Sequence, residues 1–159
     1  MSKGKALVVV GVDLAGSPRR ATGVCVLRGM KARTRIAFAD EEILDSIEQA
    51  RPDIVPIDAP LSLPRGRATI HDRAGEHFRE CDSELRKRGI RFFPVTLGPM
   101  RMLTERGLAL RAKIEKMGYH AVECYPGGPQ GAGGQTYTFH VGKASRVRFR
   151  ASQRREGGN

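Results

Sequence analysis

The sequence predicts an α/β domain built on a five-stranded mixed sheet, its first three strands antiparallel, flanked by helices. Three observations predict it. Residues 6–10, ALVVV, form a continuous apolar run rich in valine, which suits a strand buried on both faces. Segments 6–10, 21–27 and 34–39 are all strand-like and are separated only by short polar turns, the pattern of an antiparallel meander. A helical segment at 40–50 then intervenes before the strand at 53–58, and such a crossover makes that strand parallel to the first.

The elements follow in order. In residues 5–17, KALVVVGVDLAGS, Gly11 is expected to let another backbone approach closely, Asp13 sits where the strand runs out, and Gly16-Ser17-Pro18 turns the chain. Residues 28–31 read as a hairpin loop, and 34–39, TRIAFA, as a half-exposed strand. Asp40 is the expected N-cap of the next helix. Glu41, Glu42 and Asp45 suit its positive end, and Ile43, Leu44, Ile47 and Ala50 share one face. Arg51-Pro52 stops it.

Residues 60–78 are irregular and mix arginines and histidines with acids. A helix is expected over 79–88, with Gly89 as its stop, and Phe92-Phe93-Pro94 reads as a buried anchor or a short extended piece. Residues 99–117 read as a long helix with Met102, Leu103, Leu108, Leu110, Ile114 and Met117 apolar, the methionines serving packing. The fifth strand spans 119–125.

A chain of 159 residues is one ordinary domain, and 40% hydrophobic residues can fill a core. It has no apolar run of membrane-spanning length and no signal-peptide pattern, so it reads as soluble and cytoplasmic. Cys25, Cys81 and Cys124 are odd in number and share no metal-binding spacing, which argues against a disulfide framework or structural zinc. Cys25 and Cys124 read as core thiols; no histidine is spaced to serve Cys124 as a base.

The net charge of +11 favours a polyanionic partner, nucleic acid above all. From Gly127 onward Gly and Arg are in excess, with a short strand expected at 137–141 and the rest disordered or loosely attached. Arg146, Arg148 and Arg150 there alternate with Val147 and Phe149, a pattern of a phosphate-binding tail or a solvated strand. The division is therefore a domain at 1–128 and a Gly/Arg-rich tail at 129–159.

Three strand-like segments each deliver one carboxylate just before a Pro/Gly break: Asp13, Asp58 in DIVPIDAPLSL, and Glu123 in YHAVECYPGG. Ligands gather at the C-terminal ends of strands in α/β sheets, and three converging acids suit a hard divalent cation such as Mg²⁺ or Mn²⁺. Asp13 alone is equally compatible with a turn cap.

Five separated motifs occur in order: VGVDLAGS, PIDAPLSLP, FRECDSELRKRG, MRMLTERGLAL and VECYPGG. Over about residues 6–128 they resemble the family of predicted ribonuclease H-like nucleases catalogued as domain of unknown function 429. The resemblance implies that Asp13, Asp58 and Glu123 are the active-site acids and metal ligands, and it matches an R-x-C-D motif to Arg79, Cys81 and Asp82. It implies two-metal hydrolysis of a phosphodiester, with Asp13 bridging the ions. Arg79, Arg65 and Arg101 are candidate phosphate contacts. Asp82 is a candidate cap or further ligand, and Ser62 and Ser17 are candidate lining residues.

The family continues past the Y-P-G-G element with helices, one carrying a further Asp, whereas here no acid lies between Glu123 and Glu156. A truncation or altered reading frame after about residue 128 is therefore expected, leaving a sheet face open to homodimerisation. Three rivals follow. One is a catalytically impaired nucleic-acid-binding module, and another is a nucleotide-handling relative of the actin-like ATPases. The third, a serine or cysteine hydrolase, finds no G-x-S-x-G here.

Overall fold

Val8, Val10 and Val12 alternate with Val9, Gly11 and Asp13 along β1 (Val8–Asp13), so the strand presents a different set to each side of the sheet. The computed structural model describes residues 6–125, 135–141 and 145–151. After β1 come β2 (Thr22–Arg28), β3 (Lys31–Ala37), α1 (Asp40–Ala50), β4 (Val55–Asp58), α2 (Glu80–Lys87), α3 (Gly98–Lys116) and β5 (Ala121–Glu123). The sheet order is β3-β2-β1-β4-β5; the first three strands pair antiparallel, and β1–β4 and β4–β5 pair parallel. This five-stranded mixed sheet with three helices has ribonuclease H-like topology, as the sequence predicts.

One face of the sheet carries the main core. Val8, Val10, Val12, Val24, Val55, Ile57 and Ala121 meet Ile43, Ile47 and Ala50 of α1 and Leu110 and Ile114 of α3. Val9, Ile54 and Val122 form a smaller cluster on the other face. Edge strand β3 is exposed from Lys31 to Ile36, and its Lys31, Arg33 and Arg35 oppose edge-to-edge pairing.

Several expectations need correction. β3 begins at Lys31, because Arg28 pairs with Lys31 across a two-residue turn in which Gly29 adopts φ 58°. The N-cap of α1 is Ala39. Asp40 is drawn to α3 by Arg106 at 2.9 Å and Lys113 at 3.2 Å, and Glu42 reaches back to the N–H groups of Phe38 and Ala39 instead. Those two bonds hold the Glu42 carboxyl below its ordinary range. Gly11 admits no close backbone, since a Cβ there would meet nothing within 4 Å. Phe93 is 72% exposed, so the Phe-Phe-Pro segment is not a buried anchor. Met102 is also exposed; α3 buries Thr104, Gly107, Leu110 and Ile114, the stripe that faces the sheet.

In the C-terminal region β6 (Gln135–Val141) pairs antiparallel with β7 (Ser145–Ala151), so residues 145–151 form a strand rather than part of a disordered tail. The expectations for 126–134, 142–144 and 152–159 lie outside the described residues. Among the described residues no helix is long and apolar enough to cross a membrane.

The close approach in this fold is at Gly107. A Cβ there would stand 2.7 Å from the Pro60 carbonyl oxygen and 3.3 Å from the Ala59 Cβ. Gly107→Ala is therefore expected to destabilise the protein by about 1–3 kcal/mol, read as a lower urea midpoint, although alanine is the better helix former. An unchanged midpoint would mean that α3 is free to shift away from the loop after β4.

Candidate functional site

The strand register brings the acids to one edge. Asp13 and Asp58 are direct partners on parallel strands, and Glu123 is the partner of Ile57, one residue earlier on β4. All three lie at strand C-termini. The carboxyl of Asp58 is pushed up to about 6, first by burial and then by the charges of Asp13 and Glu123. Gly23, opposite Asp13 on β2, keeps the space beside that carboxylate free of a larger side chain.

Helix α3 fixes the loops that follow two of these acids. Arg106 donates from Nη1 to the Ala15 carbonyl at 2.7 Å, just past Asp13, and from Nη2 to Phe38 O at 2.7 Å. Arg111 donates from Nη1 to the Leu61 carbonyl at 3.0 Å, just past Asp58. Gly107 lies between them and lets the loop after β4 press against the helix. On the sheet side, the Ala15 N–H donates to Oγ1 of buried Thr22 at 3.1 Å. The loops that follow both acids are therefore anchored through their own backbone.

Arg79 links the third acid to α2. Its Nη1 donates to Glu123 Oε2 at 2.7 Å and to Ser62 Oγ at 3.4 Å. Its Nε and Nη2 make a two-pronged contact with Asp82 at 3.1 and 2.8 Å. Asp82 also accepts the Arg79 backbone N–H at 3.0 Å, so it closes the capping box of α2 from the third helical position, with Arg79 as the N-cap. Both side chains are buried. Glu123 Oε2 additionally accepts the Leu61 N–H at 2.8 Å.

The other candidates separate. Arg65 is exposed, 3.6 Å from Glu80, and Arg101 donates its Nε to the Thr96 carbonyl at 2.7 Å; neither pairs with the three acids. Arg101 lines a polar cleft of about 550 Å³ with Arg67, His71, Arg73 and His77. The acid of that cleft, Asp72, is satisfied by the N–H groups of Ala68 and Thr69 and the Thr69 hydroxyl. Ser17 serves its turn, accepting the Arg19 N–H at 3.2 Å. Cys124 is half-buried, and burial together with the charges of Asp58, Glu123 and Asp13 pushes its thiol up to about 12, which keeps it protonated and a poor nucleophile. Desolvation also raises the thiol of Cys81 in α2, against the opposing charge of Arg79.

The donor chemistry fits a hard cation in part. Asp13 and Asp58 offer oxygen ligands and make no hydrogen bond or ion pair with a described residue, and Mg²⁺ is commonly held by one or two carboxylates while it keeps its waters. Glu123 has committed Oε2 to Arg79 and Leu61, leaving Oε1. Among the described residues no group of three His, Cys, Asp or Glu side chains stands ready to hold one ion.

Fold and site together define a ribonuclease H-like α/β domain with acids gathered at the ends of its first, fourth and fifth strands. The chain belongs to the family described as Protein of unknown function (DUF429), whose model matches residues 11–128. The match ends where the Gly/Arg-rich composition begins. Neither the curated proteins nor the solved structures contain a match to it.

Proposed function

We propose that this domain is a divalent-metal-dependent phosphodiesterase acting on nucleic acid. The observation that carries the reading is the facing pair Asp13 and Asp58, placed side by side at parallel strand ends with no basic partner among the described residues. Two adjacent carboxylates repel one another, and a cation is the simplest group that relieves this. Mg²⁺ or Mn²⁺ bound there would supply a Lewis acid and a more acidic water. The chain's own residues then divide the work. Asp13 and Asp58 are the ligands, and Glu123 contributes Oε1 while Arg79 holds its other oxygen. Arg101 and the basic cleft around it take substrate phosphates, and the +11 net charge draws the polyanion in. Arg79 acts in this scheme as a positioning residue.

The test is Mn²⁺ binding by calorimetry on the full chain and on Asp13→Asn. Binding in the micromolar to low millimolar range that disappears in the variant is expected, with loss of phosphodiester cleavage alongside it. If the parent chain gives no isotherm, the catalytic reading fails. The engagement of Glu123 by Arg79 favours a second reading for that case, a nucleic-acid-binding module with the same fold and no metal chemistry.

A further inference from the structure

The chain has six phenylalanines and three tyrosines. Four of these nine, Phe78, Phe92, Phe93 and Tyr125, line a single open pocket of about 580 Å³ with Arg86 and Arg91. Such a concentration is unusual for an exposed position. Phe93 is 72% and Tyr125 44% exposed. Phe78 and Phe92 meet edge to face at 6.0 Å, which fixes their rings, and the Arg86 guanidinium lies 5.6 Å from the Phe78 ring centre. Tyr125 is anchored by its hydroxyl, which donates to the Arg91 carbonyl at 2.7 Å. The rings are therefore positioned while two of them remain open to solvent.

Both walls of the pocket lead to the acid site. Tyr125 lies two residues beyond Glu123, about 7 Å along an extended chain. Phe78 immediately precedes Arg79, whose guanidinium grips Glu123. An apolar aromatic cleft with two exposed rings and two arginines in its lining matches one chemistry above others, an unstacked nucleobase with its phosphate neighbours. The bases of a duplex are already stacked and do not reach such a cleft.

We infer that the pocket of Phe78, Phe92, Phe93 and Tyr125 receives an unpaired base of a single-stranded nucleic acid, with Arg86 and Arg91 on the adjoining phosphates. This rests on the phosphodiesterase reading for its purpose but not for its measurement. It makes the substrate class single-stranded or locally unpaired nucleic acid, with the base anchored beside the acids at the end of β5.

The experiment is fluorescence anisotropy with a labelled single-stranded oligonucleotide and the duplex of the same sequence, on the full chain in EDTA so that no cleavage occurs. The single strand is expected to bind more tightly than the duplex. Phe93→Ala is expected to weaken single-strand binding at least about fivefold, and Phe93→Trp to retain it. Phe93 is exposed, so both variants should keep the parent's circular dichroism and melting temperature. Equal affinity for single strand and duplex, or unchanged binding by Phe93→Ala, overturns the inference. The two readings fail separately. Loss of cleavage in Asp13→Asn with unchanged binding in Phe93→Ala removes the base pocket and keeps the phosphodiesterase. Cleavage unaffected by Asp13→Asn with binding lost in Phe93→Ala does the reverse.

Discussion

Replacing Arg79 by methionine is expected to cost about 3–5 kcal/mol of folding stability. Asp82 is 1% exposed, and both of its oxygens accept from the Arg79 side chain. Without that guanidinium a buried carboxylate is left with the Arg79 backbone N–H and the weakly donating Cys81 thiol at 3.9 Å in low dielectric. Arg79→Lys should recover little of the loss, because a single ammonium cannot match the forked contact to Asp82 and reach Glu123 as well. Chemical denaturation of Arg79→Met, Asp82→Asn and the double variant checks this. The double variant should be more stable than Arg79→Met alone, since the asparagine removes the orphaned charge. Additive losses would show that Arg79 and Asp82 contribute independently. The same substitution releases Glu123, so Mn²⁺ affinity is expected to change even where the protein stays folded, which separates the positioning role from simple destabilisation.

This network also marks the boundary of what the sequence discloses. Arg79 and Asp82 stand three residues apart at the start of a helical segment, and that spacing is readable as a cap. Glu123 lies 44 residues away from Arg79, and nothing local announces the contact. The strands that carry the acids were legible for the opposite reason. A run of valines ending in an acid and a glycine-rich turn satisfies strand propensity, burial and turn chemistry at once, so β1 follows from short-range pattern, and the helical crossover at 40–50 makes β4 parallel to it. The antiparallel meander was legible from its short connections.

What escaped the sequence reading was mostly side chain to backbone bonding across long separations. Arg106 and Arg111 look like the solvated face of a helix, yet they hold carbonyls 91 and 50 residues distant, behind Asp13 and Asp58. Gly107 looks like a weak point in α3 and is instead the place where the loop after β4 meets it. Composition makes Asp40 the expected N-cap, but two cations of α3 claim its carboxylate, and Glu42 accepts the N–H groups of Phe38 and Ala39 instead. The aromatic pocket was hidden for a related reason. Phe92-Phe93-Pro94 has the composition of a core segment, yet Phe93 stands largely in solvent.

Asp58→Asn is expected to make the protein more stable while abolishing metal binding. The Asp58 carboxyl rises from 3.8 to about 6 on folding, so in that interval the folded state holds the proton more tightly than the unfolded chain. Stability contributed by the protonated form is present below 3.8 and is lost as pH rises to about 6. Above that, an ionised Asp58 beside Asp13 costs up to about 3 kcal/mol, and solvent screening of a half-buried group reduces this to about 1–2 kcal/mol. Asparagine keeps the shape and removes the charge. Thermal unfolding in EDTA at pH 7.5 should show Asp58→Asn melting about 2–8 °C above the parent, with the advantage gone at pH 3.5. A lower melting point at pH 7.5 would mean that Asp58 is stabilised as an anion, and the repulsion that motivates a cation there would not exist. Mn²⁺ supplies the complementary test. It must displace the Asp58 proton, so its affinity for the parent chain should fall as pH drops below about 6, while its stabilising effect on the melting point should be absent in Asp58→Asn. A carboxylate whose ionisation opposes its own fold at neutral pH is what a site organised for function rather than for stability requires.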